Sequence, residues 1–275
     1  MLLTKVASLN ELEDLAKLGY DGIDISFCST IYKEGVDSIP HDPVLDGDWK
    51  KTLDGYKEKL ANYNMVVEST HLPYNFDYAD EKNPRQEEYF EMTVRALEAS
   101  EYMGAKWAVA HIHLSLDDGA VTKTVDYVKK LMDAADIKTI GVAIENGSGF
   151  PLEYVNAACD ILKAEGYNVG HCLDLGHANY GGLFEAHVLD VIRAQGSRIS
   201  MIHLHDNCHN ADYHREPYAG NMPWEDVMKV LKEVGFKGTF NYELMDTRIP
   251  EAIKEDYDKY CVKLARYLIS VFEQA

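Results

Sequence analysis

An eightfold recurrence constrains this chain more than any other feature: a strand-sized apolar run is followed, time after time, by a helix-sized amphipathic stretch. Strand-like runs fall at about 2–7, 22–27, 65–71, 106–113, 141–145, 169–174, 200–205 and 239–244. Helical periodicity follows each of them, at about 9–18, 49–62, 84–103, 121–135, 151–165, 184–195, 224–234 and 251–272. Each helix returns the chain to the same end of the sheet, so the alternation predicts parallel strands. Eight such units in 275 residues predict an α/β protein, a single (β/α)8 TIM barrel with one domain over 1–275. Reactive groups are then expected at the carboxyl ends of the strands. An open doubly wound sheet is the alternative. No Ser/Gly/Pro-rich linker or low-complexity tract divides the chain.

Residue parity within the runs favours closure, because side chains two apart share a face and one face of a barrel strand points inward. Thr239, Asn241 and Glu243 share one face of the last run, and Phe240, Tyr242 and Leu244 share the other. Gly141, Ala143 and Glu145 alternate with Val142 and Ile144, and His203 and His205 alternate with Ile202 and Leu204. Polar residues are therefore expected to enter the barrel at its carboxyl end.

The charge balance narrows the partners. Lys and Arg number 27 against 46 Asp and Glu, a net charge of −19 that repels nucleic acid and anionic membrane surfaces. Small neutral or metal-bridged substrates are favoured, and nothing in the composition opposes a homo-oligomer. The opening MLLTKVASLN is not a basic leader with a long apolar run, and nowhere are there 18 consecutive apolar residues. The five cysteines are widely spaced and lack a CxxC pair, which argues against a disulfide framework and a cysteine zinc site. A soluble, unprocessed protein of the reducing cytoplasm is expected.

The strand ends carry His71, His111, Glu145, Asp174, His203 and Glu243, and the loops beyond them add His177, Asp212 and His214. Any one of these fits a satisfied polar group at a barrel rim. Together they do not, because several carboxylates buried in one cavity cost several kcal/mol for each uncompensated charge. A divalent cation is the economical compensation. Glu145, Asp174, His203 and Glu243 form an oxygen-rich set suited to manganese (Mn2+), magnesium (Mg2+) or cobalt (Co2+), and the imidazoles of His71, His111, His177 and His214 shift preference toward zinc (Zn2+). One to three metals are expected.

A family resemblance is carried by HLPY at 71–74, GAKWAVAH at 104–111, IENGSG at 144–149, LDLGHANY at 173–180, MIHLHDN at 201–207, DYH at 212–214 and YEL at 242–244. In these motifs the chain resembles the xylose isomerase-like TIM barrel superfamily, which contains sugar isomerases and epimerases and the endonuclease IV-like apurinic endonucleases. The ketose epimerase branch implies a four-ligand metal site at Glu145, Asp174, His203 and Glu243. It makes the two glutamates a catalytic acid/base pair and His177 a substrate contact; His71 and His111 are further candidates for contacting substrate. The endonuclease branch adds His71, His111, His177, Asp212 and His214 as ligands in a three-zinc cluster. The chain departs from the usual pattern where a Gly-x-Gly loop follows the D-x-H pair, having Tyr218-Ala219-Gly220 there, which loses the backbone freedom of the first glycine. His205 and His113 lie on the same faces as His203 and His111, and a register shift of two would exchange them. His203 is preferred because the family's H-L-x-D order places the ligand first, and His111 by its spacing from Gly104.

Other features read more loosely. Segment 28–48 is long for a βα loop and is a candidate lid. Trp107 is placed as filling for the barrel, and Trp224 as packing or capping for the helix it begins, with substrate stacking as its alternative. Gly147 and Gly149 could cradle a phosphate through backbone amides.

The first expectation of function is a metal-dependent isomerase or epimerase of a sugar or sugar phosphate. A cation that stabilises an enediolate would acidify the α-proton of a hydroxy-ketone. Glu145 and Glu243, on strands across the cavity, could face opposite sides of that carbon, one removing the proton and the other returning it. The alternative is cleavage of abasic DNA at a trinuclear zinc site. The rim opposes it: Lys33, Lys82, Arg85 and Arg215 stand amid Glu34, Asp37, Asp42, Asp46, Asp48, Asp77, Asp80, Glu81, Asp117, Asp118 and Glu216. A non-catalytic sugar-binding barrel is a third class.

Overall fold

The computed structural model describes residues 1–28, 39–74, 76–80, 82–113, 119–148, 151–180, 187–245 and 249–275. Eight parallel strands follow one another around a barrel: β1 (Leu3–Ala7), β2 (Gly22–Ser26), β3 (Val66–His71), β4 (Trp107–His111), β5 (Gly141–Glu145), β6 (Val169–Asp174), β7 (Ile199–His203) and β8 (Phe240–Tyr242). Strand β8 pairs with β1 through Leu3↔Phe240, Thr4↔Asn241 and Lys5↔Tyr242. Closure on the other side is narrow, a single parallel bridge between Leu204 and Tyr242. There the Leu204 N–H donates to the Asn241 carbonyl at 2.9 Å and the Glu243 N–H donates to the Leu204 carbonyl at 3.2 Å. The barrel is the closed form of the two topologies that the alternation allows.

Around it lie α1 (Leu12–Leu18), α2 (Trp49–Tyr63), α3 (Gln86–Tyr102), α4 (Gly119–Ala134), α5 (Leu152–Ala164), α6 (Leu175–Asn179), α7 (Val188–Gln195), α8 (Trp224–Glu233) and α9 (Glu251–Gln274). The helical run expected at 9–18 divides into a 3-10 turn, Leu9–Glu11, begun by a Ser8/Glu11 capping box, and α1. Helix α6 has no counterpart among the periodic stretches. Its five residues are too few for such a pattern, and it exists because the Asp174 side chain accepts from the His177 N–H, capping the turn as β6 ends. Of the helix expected at 184–195, residues 184–186 lie outside the described residues, as does 29–38 of the candidate lid. Among the described residues no helix is long and apolar enough to cross a membrane.

The interior is layered. At the amino end, Trp107 packs on Val109, Ala143, Cys172 and Met201, and a Cβ at Gly141 would lie 2.3 Å from the indole, so glycine is what lets the ring fill the barrel. Above it is a polar layer in which Thr4 Oγ1 donates to Asn241 Oδ1 at 2.8 Å. Asp24 Oδ2 accepts there from Asn241 Nδ2 at 2.9 Å and from Ser69 Oγ at 2.6 Å. The outward faces, with Ile23, Ile25, Val142, Ile144, Ile202, Phe240 and Tyr242 all fully buried, pack against the helices. The carboxyl end of the barrel is thereby left to the charged residues.

Candidate metal centre

Parallel register assembles the centre. His111 is the register partner of Glu145, and Asp174 that of His203, so neighbouring strands deliver their last inward side chains at one height. His71 closes β3 and Glu243 follows β8. One turn of α6 carries His177, and the loop between β7 and α8 carries Asp212 and His214.

Among the described residues five groups have ligand atoms within 4.8 Å of one another, and three of them together take in all nine residues: His71, His111 and Glu145; Glu145, Asp174, His203 and Glu243; and His177, Asp212 and His214 joined by His205. Glu145 belongs to two of these three. Its Oε2 lies 3.1 Å from His111 Nε2 and 3.4 Å from His71 Nε2, and its Oε1 lies 3.0 Å from His203 Nδ1. His203 Nδ1 also lies 3.3 Å from Glu243 Oε2 and 4.0 Å from Asp174 Oδ2. Asp212 Oδ2 is 3.0 Å from His177 Nε2, and its Oδ1 is 3.4 Å from His214 Nε2.

This set fits a divalent cation. Glu145 Oε2, Glu243 Oε2, Asp212 Oδ1 and His71 Nδ1 are buried without a hydrogen-bond partner among the described residues. Such atoms are costly unless something else satisfies them, and cations among the carboxylates would satisfy the three oxygens, whereas His71 Nδ1 lies on the far side of a ring whose Nε2 faces Glu145. The imidazoles are oriented as ligands are. His177 Nδ1–H donates to the Asn146 carbonyl at 2.8 Å and His214 Nδ1–H to the Glu243 carbonyl at 2.9 Å, which leaves both Nε2 atoms toward Asp212. Behind His203, Asp24 Oδ2 lies 3.6 Å from Nε2, so the Nδ1 atom faces the carboxylates.

Electrostatics follow from burial opposed by partners. Burial alone would raise the Glu145 and Glu243 pKa values, but the charge of His203, joined at Glu145 by His111, holds both well below the carboxylate range. Burial would lower the His214 pKa; its hydrogen bond to Asp212 and the charge of Glu243 lift it instead to about 9. His177 is raised against burial by Asp174 and Asp212, while Asp212, opposed by the same two histidines, is held below its usual range. In the metal-free protein these imidazoles keep protons at neutral pH, and a cation must expel them to bind. Metal affinity should therefore rise with pH from neutrality to about 9. Calorimetric zinc titrations at pH 7 in two buffers of different ionisation enthalpy should report proton release on loading; equal heats in both would contradict this electrostatic picture.

The two histidine ambiguities resolve differently. His113 turns away to pair with Asp77, Nε2 to Oδ1 at 3.0 Å, and only His111 enters the centre. His203 and His205 both belong: His205 is fully buried, 3.0 Å from Asp174 Oδ1, and stacked on His214 with ring centroids 3.8 Å apart. Asp24, Asn146 and His205 also line the candidate centre, and the sequence alone does not assign them to it. For Asp24 the signal is available, since period-two alternation puts it on the inward face of a run otherwise as apolar as GIDISF. Asn146 Nδ2 donates to the Asp174 carbonyl at 3.0 Å and its Oδ1 accepts from the Asp174 N–H at 2.8 Å, tying β5 to β6 beneath the site.

The loop lacking the first glycine is held by a buried carboxylate. Asp206 Oδ2 accepts from the Tyr218 and Gly220 N–H groups at 3.0 Å each and from Trp224 Nε1 at 2.8 Å. Its Oδ1 accepts from the Asn207 N–H at 2.8 Å and the Met222 N–H at 3.3 Å. Tyr218 takes φ 71° and His214 φ 46°, left-handed values that cost a side chain about 1–2 kcal/mol each and that this anchor offsets. The retained glycine is required, because a Cβ at Gly220 would lie 2.1 Å from the Asn207 carbonyl oxygen. Trp224 is fully buried in this anchor and offers no face to a substrate. Gly149, half of the suggested phosphate cradle, lies outside the described residues.

Comparison with known proteins places the fold. The described fold superposes on a D-tagatose 3-epimerase-like protein with TM-score 0.76 at 18% identity, covering 100% of this chain and 99% of that one. It is similar to the 3-keto-D-glucoside 4-epimerase YcjR of E. coli, with TM-score 0.73, 15% identity and coverage of 97% and 99%. IolI, solved with a bound zinc atom, matches with TM-score 0.70, 20% identity and coverage of 100% and 99%. By sequence, an uncharacterized protein of Methanocaldococcus jannaschii is 27% identical over 140 residues, which are 48% of this chain and 46% of that protein. The matched part thus spans about half the length of that relative. Residues 12–261 match the family model described as xylose isomerase-like TIM barrel, and the chain belongs to that family.

Proposed function

We propose that the protein is a divalent-metal-dependent isomerase or epimerase of a sugar or sugar phosphate, with Glu145 and Glu243 as its acid/base pair. One observation carries the reading. The two glutamates arrive from β5 and from beyond β8 and meet at His203 Nδ1, at 3.0 and 3.3 Å, each with a buried carboxylate oxygen that no donor satisfies. A cation held by Glu145, Asp174, His203 and Glu243 supplies stabilisation of negative charge on the substrate's carbonyl oxygen. The chain's own groups do the proton work. One glutamate takes the proton α to the carbonyl, and the other, once it has collected a proton from solvent or from a neighbouring imidazolium, delivers it to the opposite face for epimerisation; return to the neighbouring carbon gives isomerisation. Asp24 lies behind the His203 ring, 3.6 Å from its Nε2, and His177 stands at the edge of the site for a substrate hydroxyl. The sugar epimerases that share the fold support the same class of substrate.

A second reading is favoured by the third group, His177, His205, Asp212 and His214, which completes a three-cluster arrangement suited to a phosphodiesterase acting on abasic DNA. The acidic rim disfavours that partner. Solvent-deuterium wash-in separates the two without a guess at the product: a mixed panel of free and phosphorylated ketoses is incubated in D2O and read by mass spectrometry, with Glu145→Gln as the blank. Deuterium next to the carbonyl of at least one sugar and intact abasic duplex are expected. Efficient cutting of the duplex, lost on chelation and in His111→Ala, with no wash-in from any sugar, would overturn the proposal.

A further inference from the structure

We infer that the substrate is a keto sugar that also carries an apolar or aromatic ring, as an aryl glycoside with a ketone on its sugar ring does, and that this ring binds in a separate cavity beside the metal centre. The inference rests on the sugar reading above and narrows its substrate class. A cavity of about 280 Å³ lies between the barrel top and α3 and α4. That is slightly less than the roughly 300–1,000 Å³ of pockets that enclose whole ligands, so it suits one part of a larger molecule.

Its walls are three stacked ring pairs. Phe76 lies on Tyr89 with centroids 4.2 Å apart, Tyr78 on Tyr127 at 4.0 Å, and Tyr74 on His111 at 4.8 Å. Two of the hydroxyls are already committed: Tyr89 Oη donates to the Pro73 carbonyl at 2.6 Å, and Tyr78 Oη lies 3.3 Å from Thr124 Oγ1. Beside the Tyr127 Oη, which is buried without a hydrogen-bond partner among the described residues, ring faces and edges are what the cavity offers. No lysine or arginine among the described residues lines it, and the Asp77 carboxylate at its edge is paired with His113, which makes it a poor phosphate site.

His111 joins the cavity to the chemistry. Its Nε2 faces Glu145 Oε2 at 3.1 Å, while its ring also forms part of the cavity wall. A sugar at the metal centre with a substituent directed past His111 would place that substituent among the tyrosines. A free monosaccharide leaves the space unused.

The test is binding of phenyl β-D-glucopyranoside against methyl β-D-glucopyranoside to the metal-loaded protein, by calorimetry, in the natural sequence and in Tyr78→Leu and Tyr127→Leu. The phenyl compound should bind about tenfold tighter or more, and either substitution should remove most of that advantage. Neither tyrosine belongs to the metal centre, so deuterium wash-in from a free ketose should persist in both variants. Equal affinities for the two glucosides, or an advantage that survives both substitutions, would overturn the inference. Wash-in without any phenyl preference sinks the cavity and leaves the isomerase reading standing; a tyrosine-dependent phenyl preference without wash-in does the reverse. Should a variant fail to fold, nuclear Overhauser contacts between the phenyl protons and tyrosine ring protons in the natural protein decide the question, and their absence counts against the inference.

Discussion

Replacing Glu145 with glutamine is expected to lower turnover by about 10³-fold or more while leaving the barrel folded. Glu145 is shared by the His71/His111 group and the Asp174/His203/Glu243 group, so one amide weakens both at once. It also removes a group able to accept the α-proton. The new side chain is isosteric, and although it gives up the charge pairing with His203 and His111, the apolar packing that holds the barrel is untouched. Glu243→Gln should be as inactive but should keep a cation at His71, His111 and Glu145, because Glu243 is not part of that group. Metal content by mass spectrometry, beside turnover of a sugar found by wash-in, distinguishes the two variants. Near-normal turnover of Glu243→Gln would rule out the acid/base pair.

Asp206→Asn is expected to be the most damaging change outside the candidate metal centre, at roughly 2–4 kcal/mol of stability. The carboxylate accepts from four backbone N–H groups and the Trp224 indole. An amide offers one oxygen and turns an NH2 group toward donors that then lose their acceptor. Because this loop places Asp212 and His214, zinc uptake by the outer group should weaken as well. Urea unfolding followed by tryptophan fluorescence reads the effect, since Trp224 sits in the anchor. A loss below about 1 kcal/mol would mean that the loop finds another way to satisfy these donors.

Much of this is legible in the sequence because two periodicities agree. The runs at 141–145 and 169–174 coincide with β5 and β6, whose ends bear Glu145 and Asp174. Where tertiary contacts decide, local pattern says less. The run at 239–244 shortens to Phe240–Tyr242, since a strand lasts only as long as its neighbours pair with it, and β7 and β8 share a single bridge. The run at 106–113 ends at His111, and this is what sends His113 away to Asp77. All nine candidate ligands do converge. What no spacing can reveal is which imidazoles share a carboxylate: His205 joins the outer group by stacking on His214, a contact set by a loop whose course depends on Asp206. The tyrosine-lined cavity is hidden for the same reason, its walls coming from the loop after β3, from α3 and from α4.

Anomalous scattering from a crystal grown with manganese and zinc, measured at both absorption edges, tests the central claim most directly. The expected result is a cation bound by Glu145, Asp174, His203 and Glu243, the set in which both proposed acid/base glutamates and His203 Nδ1 meet. Anomalous density confined to other positions, with these four side chains still paired only to one another, would contradict it.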